Sequence, residues 1–272
     1  AVPTAVAAAP GIERPAVPSG ELLSRPAALA APPPDRADDL ILTELSAREW
    51  TVDVEQTATA QLTIVNGGQI VAAFAVRVSG VDESWVTISQ PQVNLFEGAR
   101  ATVTISITPP RQPTSRAGAH PLAIVVTSSN YPGHVSQMGA LLTINPYYEF
   151  AVGELSPKRQ TVSWRRRSGQ VTLPIVNKGN SDAVFRLEGE DDERRCHFEF
   201  DMPDEEVSLA KQAEARLSPG ESIIPVGITP MRRRLIALRP RTYSYTITTS
   251  MTEGAQAPRA VMGQIKARPL IG

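Results

Sequence analysis

The sequence is poor in cysteine, in aromatic residues and in net charge. Cys196 is the single cysteine among 272 residues, which excludes an intrachain disulfide, so each hydrophobic core depends on packing alone. Aromatic residues make up 5% of the chain and the formal net charge is −1. This balance gives no general electrostatic attraction to nucleic acid or to an anionic membrane. With 42% hydrophobic residues, the chain is long enough for two ordinary domains.

The sequence also lacks membrane-directing segments. Its apolar runs, such as Leu122–Val126, have the length of a strand and not of a membrane span. The first residues lack the basic head and apolar centre of a signal peptide, which favours a cytoplasmic or particle-associated protein over a secreted one. They also lack Met, so residues upstream of Ala1 and the compartment itself stay open.

Sequence motifs of catalysis and metal binding are missing as well. No GxSxG, HExxH or GxxxxGK[ST] pattern is present. Cys196 and His197 are neighbours on a predicted strand, where adjacent side chains point to opposite faces, so we expect a buried Cys beside an exposed His. Carboxylates gather over 188–193, and we interpret them as a solvated loop in preference to a calcium site, because Arg194 and Arg195 follow directly. We predict no enzyme activity, cofactor, metal or small-molecule substrate.

The chain does contain an internal repeat. Apolar residues alternate along Gln61–Asn66 and again along Gln170–Asn177, and each stretch ends at an Asn followed by a glycine-bearing turn. This pattern predicts a strand that enters a tight reversal. Further segments match in the same order: Leu95–Gly98 with Leu217–Gly220, and Val103–Pro109 with Ile224–Pro230. The spacing is 177 − 66 = 111 residues at the Asn and 220 − 98 = 122 at the turn Gly, so the second copy has a longer middle.

Short alternating segments dominate the sequence from Trp50 onward. They predict an all-β fold of two tandem immunoglobulin-like antiparallel β-sandwiches preceded by an extended Ala/Pro-rich arm. We assign the arm to residues 1–45, the first sandwich to 46–146 and the second to 147–272. The segment Asp38–Glu49 fits either one helical turn or a first edge strand. Glu205–Arg216 is the one place where we expect a short helix. The strand candidates are Trp50–Val54, Ala60–Val65, Ala73–Val78, Trp85–Ser89, Ala101–Thr108, Pro121–Thr127, Ala140–Ile144, Thr161–Trp164, Val171–Val176, Ala183–Leu187, His197–Phe200, Ile223–Ile228, Tyr243–Thr248 and Val261–Ala267.

The first 38 residues differ in composition from the rest. Alanine and proline fill 19 of these 38 positions. Such a segment cannot bury enough apolar surface to offset the entropy lost on ordering. We interpret the arm as a flexible or polyproline-like tether. The alternative is an extended arm that lies along a neighbouring subunit, which would make the chain part of an assembly.

The two copies share the form VNxG, a strand, a turn ending in Gly, and a strand ending in Pro. These blocks are Val65–Gly68, Leu95–Gly98 and Ile107–Pro110, and then Val176–Asn180, Leu217–Gly220 and Ile228–Pro230. They resemble the tandem Ig-like modules of many actinobacterial and Chloroflexi proteins, over roughly residues 46–270. Some such modules are similar to proteins encoded with phage-tail-like contractile injection systems. The resemblance implies a structural or adaptor role and carries over no catalytic residue. Glu97 stands where the pattern has Pro.

Two classes of function follow. The favoured one is a non-enzymatic structural or adaptor protein, whose sandwiches are spacer and docking surface and whose arm ties it to other protein subunits. The alternative is a surface- or carbohydrate-binding accessory module, which needs an exposed aromatic platform, and the three tryptophans are too scattered to form one. Basic triplets are either loop-edge charges or docking residues for an acidic neighbour. The candidate interface residues are Arg165, Arg166, Arg167, Arg232, Arg233, Arg234, Pro32, Pro33 and Pro34.

Overall fold

A computed structural model describes residues 40–202, 205–209, 212–231 and 239–269. The predicted arm with Pro32, Pro33 and Pro34, and the basic triplet Arg232, Arg233 and Arg234, lie outside the described residues. Within them, β-strands make up almost all regular structure, because nearly every strand alternates buried apolar and exposed polar residues. The predicted all-β class is confirmed.

The first sandwich has nine strands in two sheets. One sheet has the strand order β1-β3-β7-β5 and the other β2-β9-β8-β4-β6. A single 3-10 turn at Glu83–Trp85 precedes β5. The strands are β1 (Ile41–Leu45), β2 (Glu49–Val52), β3 (Ala58–Asn66), β4 (Ala72–Ser79), β5 (Val86–Ile88), β6 (Gln92–Leu95), β7 (Arg100–Ile107), β8 (Gly118–Ser128) and β9 (Val135–Ile144).

The second sandwich repeats this plan with one added edge strand, β15. Its sheets have the orders β10-β12-β17-β14 and β11-β19-β18-β13-β16-β15. The strands are β10 (Phe150–Val152), β11 (Arg159–Val162), β12 (Gly169–Asn177), β13 (Ala183–Asp191), β14 (Cys196–Phe200), β15 (Glu205–Leu209), β16 (Gln212–Leu217), β17 (Gly220–Pro230), β18 (Arg241–Met251) and β19 (Arg259–Ala267).

The sequence predicts antiparallel pairing throughout, but one strand pair in each sandwich is parallel. β2 lies parallel to β9, and β11 lies parallel to β19, at matching places in the two sandwiches. In each copy the first strand pairs in one sheet and the chain then crosses to the other sheet. There the second strand runs beside the last strand and in the same direction. All other strand pairs of the described residues are antiparallel.

The helix predicted at Glu205–Arg216 is wrong, since this segment forms the hairpin of β15 and β16. Its Ala, Glu, Lys and Gln residues favour a helix by intrinsic propensity. On β16, however, Ala213, Ala215 and Leu217 are buried and alternate with more exposed residues. Pairing with β13 buries that face in the sheet, so tertiary contact overrides propensity.

The start predicted for the first sandwich, residue 46, is too late. β1 already belongs to it, since Ile41 is buried in the core and pairs with Asn66 on β3. The edge-strand interpretation of Asp38–Glu49 is therefore the correct one. Only Ile41 of this strand is fully buried, which left the sequence with little alternation to detect.

The buried hydrophobic residues form two clusters. One extends from Ile41 to Ile144 and the other from Phe150 to Ile265. The predicted boundary between residues 146 and 147 lies in the segment between them. Leu62, Ile105 and Leu142 in the first cluster, and the corresponding aliphatic residues of the second, come from facing sheets, as expected of a packed sandwich.

The same buried asparagine ends the central strand of each sandwich. The side-chain amide of Asn66 donates to the carbonyl oxygens of Ile70 (2.7 Å) and Leu95 (3.0 Å), and its oxygen accepts from Gly68 N (3.0 Å). Asn177 makes the same three bonds, at 3.0 Å each, with the oxygens of Ser181 and Leu217 and with Gly179 N. Each Asn thus links peptide groups of two turns through its side chain.

We expect Asn66→Ala and Asn177→Ala each to destabilise their own sandwich by about 3 kcal/mol, because truncation removes three hydrogen bonds between a buried side chain and peptide groups of two turns. Urea unfolding would measure the loss, and amide hydrogen exchange would locate it. Asn94→Ala, at an exposed position on β6, is the matched control. Equal stability of Asn66→Ala and Asn94→Ala would contradict the structural role of the buried amide.

Candidate functional site at the junction of the two sandwiches

The described residues contain no group of three or more His, Cys, Asp or Glu side chains arranged to hold a metal ion. Among the same residues, no helix has the length and hydropathy needed to cross a membrane. Cys196 is fully buried, as predicted, and His197 beside it is half-buried, with its ring 3.6 Å from the Glu199 carboxylate. A cluster of buried and partly buried polar contacts lies between the sandwiches.

The first sandwich contributes the loop 110–117 between β7 and β8. Ser115 is fully buried in this loop, its hydroxyl donates to the Pro110 oxygen (2.6 Å), and its amide donates to the Gln112 oxygen (3.0 Å). These internal bonds fix the loop. The carbonyl of Ser115 and the amide of Ala117 are thereby presented to the second sandwich.

Asn180 of the second sandwich receives this loop. Its side-chain amide donates to the oxygens of Ser115 (2.9 Å) and Asn145 (3.1 Å), and its side-chain oxygen accepts from Tyr147 N (2.8 Å). Its backbone oxygen accepts from Ala117 N (3.0 Å). Asn180 is 1% exposed, and its bond to the Ser115 oxygen is fully buried. One side chain therefore ties the loop, the connector and the second sandwich together.

The connector 145–149 is held on both sides of this amide. Tyr147 packs against the first core and Tyr148 against the second. A Cβ added at Gly179 would lie 2.6 Å from the Tyr147 oxygen, so only glycine permits the connector to approach this turn. Movement of the connector away from the turn would break these contacts.

Ion pairs surround the buried contacts. Arg111 lies 3.2 Å from the Glu149 carboxylate and 4.3 Å above the Tyr147 ring, and Arg116 lies 3.7 Å from Asp182. Burial raises the pKa of the Tyr147 phenol, and the positive charge of Arg111 opposes that shift. These pairs are partly exposed, so they orient the junction more than they stabilise it.

The predicted interface residues Arg165, Arg166 and Arg167 lie elsewhere, in the exposed loop between β11 and β12. Arg167 stacks its guanidinium 5.6 Å from the ring centre of Trp164, which is 40% exposed. β12 begins beside this loop and ends at the junction, so the triplet lies at the opposite pole of the second sandwich. The structure does not bring the triplet into the site at Asn180.

The carboxylate run 188–193 is only partly the solvated loop that the sequence predicted. Asp191 is buried and accepts from the amides of Arg195 (2.9 Å) and Cys196 (3.0 Å), which closes the turn between β13 and β14. Glu193 is exposed and pairs with Arg195 and Arg241, and the hydrogen bond from Arg241 lowers the pKa of its carboxyl. These carboxylates serve turn closure and surface pairing.

A concavity of about 420 Å³ lies on the six-stranded sheet of the second sandwich, and the residues that line it include Lys158, Arg159, Asp192 and Tyr245. Tyr245 is 2% exposed, and its ring lies over Gly263, where an added Cβ would come within 2.3 Å. Its hydroxyl has no hydrogen-bond partner among the described residues. Burial raises the pKa of Tyr245 to about 12.

The sequence pattern did not identify Asn180 or Ser115 as functional. Asn180 directly follows the second VNxG block, and the first copy has Gln69 at the corresponding place. An amide retained in both turns is the one signal that could have pointed to it. Ser115 lies in a loop rich in Pro and polar residues, which looks like any surface turn.

We expect Asn180→Ala to loosen the junction while both sandwiches stay folded. The substitution removes the partners of two buried carbonyls and one amide, a cost of about 3 kcal/mol that falls on the contact between the sandwiches. Residual dipolar couplings, fitted separately for each sandwich, would report the change in relative orientation. Asn94→Ala should leave both alignment tensors unchanged, and unchanged tensors in Asn180→Ala would contradict the coupling role.

We expect Tyr245→Phe to be neutral or up to about 1 kcal/mol more stable, because it removes a buried hydroxyl without a partner among the described residues. The raised pKa means that the neutral phenol contributes stability that is complete below pH 10 and is lost as pH rises through about 12. Thermal unfolding at alkaline pH should therefore depend less on pH in Tyr245→Phe than in the parent chain. A clear loss of stability at neutral pH would show that the hydroxyl has a partner.

No protein-family model matches the chain, and no curated protein is significantly similar to it. Among solved structures, it is similar to a protein of unknown function from Porphyromonas gingivalis W83, with a TM-score of 0.30 and 13% identity over 83% of this chain and 98% of that chain. It is also similar to PapD-like domain 7 of human CEP192, with a TM-score of 0.28 and 17% identity over 43% of this chain and 92% of that chain. The class 5 fimbriae chaperone CfaA is similar with a TM-score of 0.27 and 8% identity over 84% of this chain and 100% of that chain. These likenesses concern the β-sandwich fold alone.

Proposed function

We propose that this chain is a non-enzymatic structural or adaptor protein, with its two Ig-like sandwiches acting as spacer and docking surface within a larger assembly. The observation that carries this proposal is the junction at Asn180. A connector of a few residues would by itself leave the sandwiches free to reorient. The buried amide and the fixed loop 110–117 remove that freedom.

A fixed junction is useful to a protein that holds other components at a set separation. Docking residues on such a protein belong on loops that a stiff core positions. The loop with Arg165, Arg166 and Arg167 has this placement, and its exposed Trp164 adds an aromatic side chain of the kind enriched at interfaces. Its charge favours an acidic protein surface as partner.

The finer proposal is that the assembly is a phage-tail-like contractile injection particle, to which the Ala/Pro-rich arm ties the chain. This part rests on the resemblance of the paired VNxG and turn-Gly blocks to the modules named above. The chain's near-neutral charge and the absence of nucleotide and protease motifs from its sequence agree with a structural component.

The carbohydrate-binding alternative has less support. Trp50 is buried, Trp85 is half-buried against the first core, and Trp164 is exposed at the far pole of the second sandwich. A sugar platform needs several exposed aromatic rings close together. These three tryptophans do not form one.

The test compares three tagged chains in their native host: the parent chain, a chain lacking residues 1–38, and Arg165→Ser/Arg166→Ser/Arg167→Ser. We expect the parent to sediment with a large particle, the truncated chain to be released, and the triple variant to be retained less well. Thermal melting of both variants should match the parent, because Arg165, Arg166 and Arg167 lie in an exposed loop and the Ala/Pro-rich composition of residues 1–38 predicts no core of its own. A parent chain that sediments alone would refute the assembly role, and a truncated chain that still co-sediments would refute the arm as the tie.

A further inference from the structure

The two sandwiches differ at the pole that precedes their first strand. In the second sandwich this pole is the junction. In the first sandwich the corresponding pole carries three exposed apolar residues, Ile70 (51%), Val71 (52%) and Phe96 (71%), which we name the head patch. Val71 and Phe96 directly adjoin the paired residues Ala72 and Leu95, so the two side chains belong to neighbouring strand ends.

The shared asparagine bonds give the exact correspondence between the copies. Because Ile70 and Ser181 offer the same carbonyl to their Asn, and Leu95 and Leu217 do likewise, Val71 corresponds to Asp182 and Phe96 to Ser218. The second sandwich thus has polar residues at all three positions. Single exposed apolar residues are normal on a solvated surface, whereas three together at one pole, where the other copy is polar, indicate a contact surface.

We propose that the head patch is the contact surface of a two-fold symmetric dimer of this chain. In a two-fold contact each patch meets its own copy, so an apolar surface is complementary to itself without like-charge repulsion. Among the residues that the structure describes, the exposed Glu97 and Arg100 put one charge of each sign beside the patch, and two-fold symmetry can bring them opposite each other. This inference goes beyond the proposed function and does not depend on it.

A head-to-tail arrangement fits the charges less well. In the internal junction, Arg116 and Arg111 of the preceding sandwich pair with Asp182 and Glu149. At the head of the first sandwich Val71 replaces Asp182. Leu40 replaces Glu149, since the oxygens of both accept the amide that follows the turn Asn. A basic tail such as the Arg165–Arg167 loop would find no acid at these two places.

The test is sedimentation equilibrium of the full chain across a wide range of concentration, on the parent, Val71→Asp and Phe96→Ser. Each variant introduces the residue found at the matching position of the second sandwich, which the fold accepts there. We expect a reversible dimer in the parent and a dissociation constant raised about 30-fold or more in each variant, as for truncation at the centre of an interface. Met262→Ser, at a residue 76% exposed on β19, should dimerise like the parent.

Circular dichroism and urea unfolding would establish that the variants are folded, and two different substitutions keep the result independent of either one. A parent chain that stays monomeric overturns the proposal and leaves the patch to another part of the chain or to another protein. Assemblies larger than a dimer that Trp164→Ser also disrupts overturn it in favour of head-to-tail contact. A dimer unaffected by Val71→Asp and Phe96→Ser overturns it as well.

Discussion

The buried side-chain amide at the end of each central strand is the interaction on which the rest of the structure depends. Asn66 and Asn177 each hold two turns together through three hydrogen bonds to peptide groups. A hydroxyl or carboxylate could not both donate twice and accept in that space. The shape of each pole, and hence what can approach it, follows from this one residue.

The two poles use the same turn for different purposes. In the first sandwich, Tyr131 from the sandwich's own β8–β9 turn covers Gly68 and reaches Asn66 with its hydroxyl (2.9 Å). In the second, the connector takes that place against Gly179, and Asn180 adds the contacts that fix the neighbouring sandwich. The duplicated turn is covered by a residue of its own sandwich in the first copy and contacts the other sandwich in the second copy.

The errors made from the sequence have a common origin. The segment of β15 and β16 has helix-favouring composition, yet β13 supplies the partner that makes it a hairpin. β1 has one buried residue, and β3 supplies its partner. Both elements owe their conformation to residues distant in the chain, so a local pattern could not predict them. Asp191, which the sequence places in a charged loop, is buried because its carboxylate accepts hydrogen bonds from the amides of Arg195 and Cys196.

The all-β class, the duplication, most of the strands and the burial of Cys196 follow from the sequence, because period-two alternation and glycine-bearing turns after Asn are local signals. The parallel pairing of β2 and β11, the joining of the two sandwiches by Asn180, and the shared exposed pole of Ile70, Val71 and Phe96 follow from the folded chain. Each of these depends on which residues distant in sequence meet in space, and alternation along one strand contains no record of that.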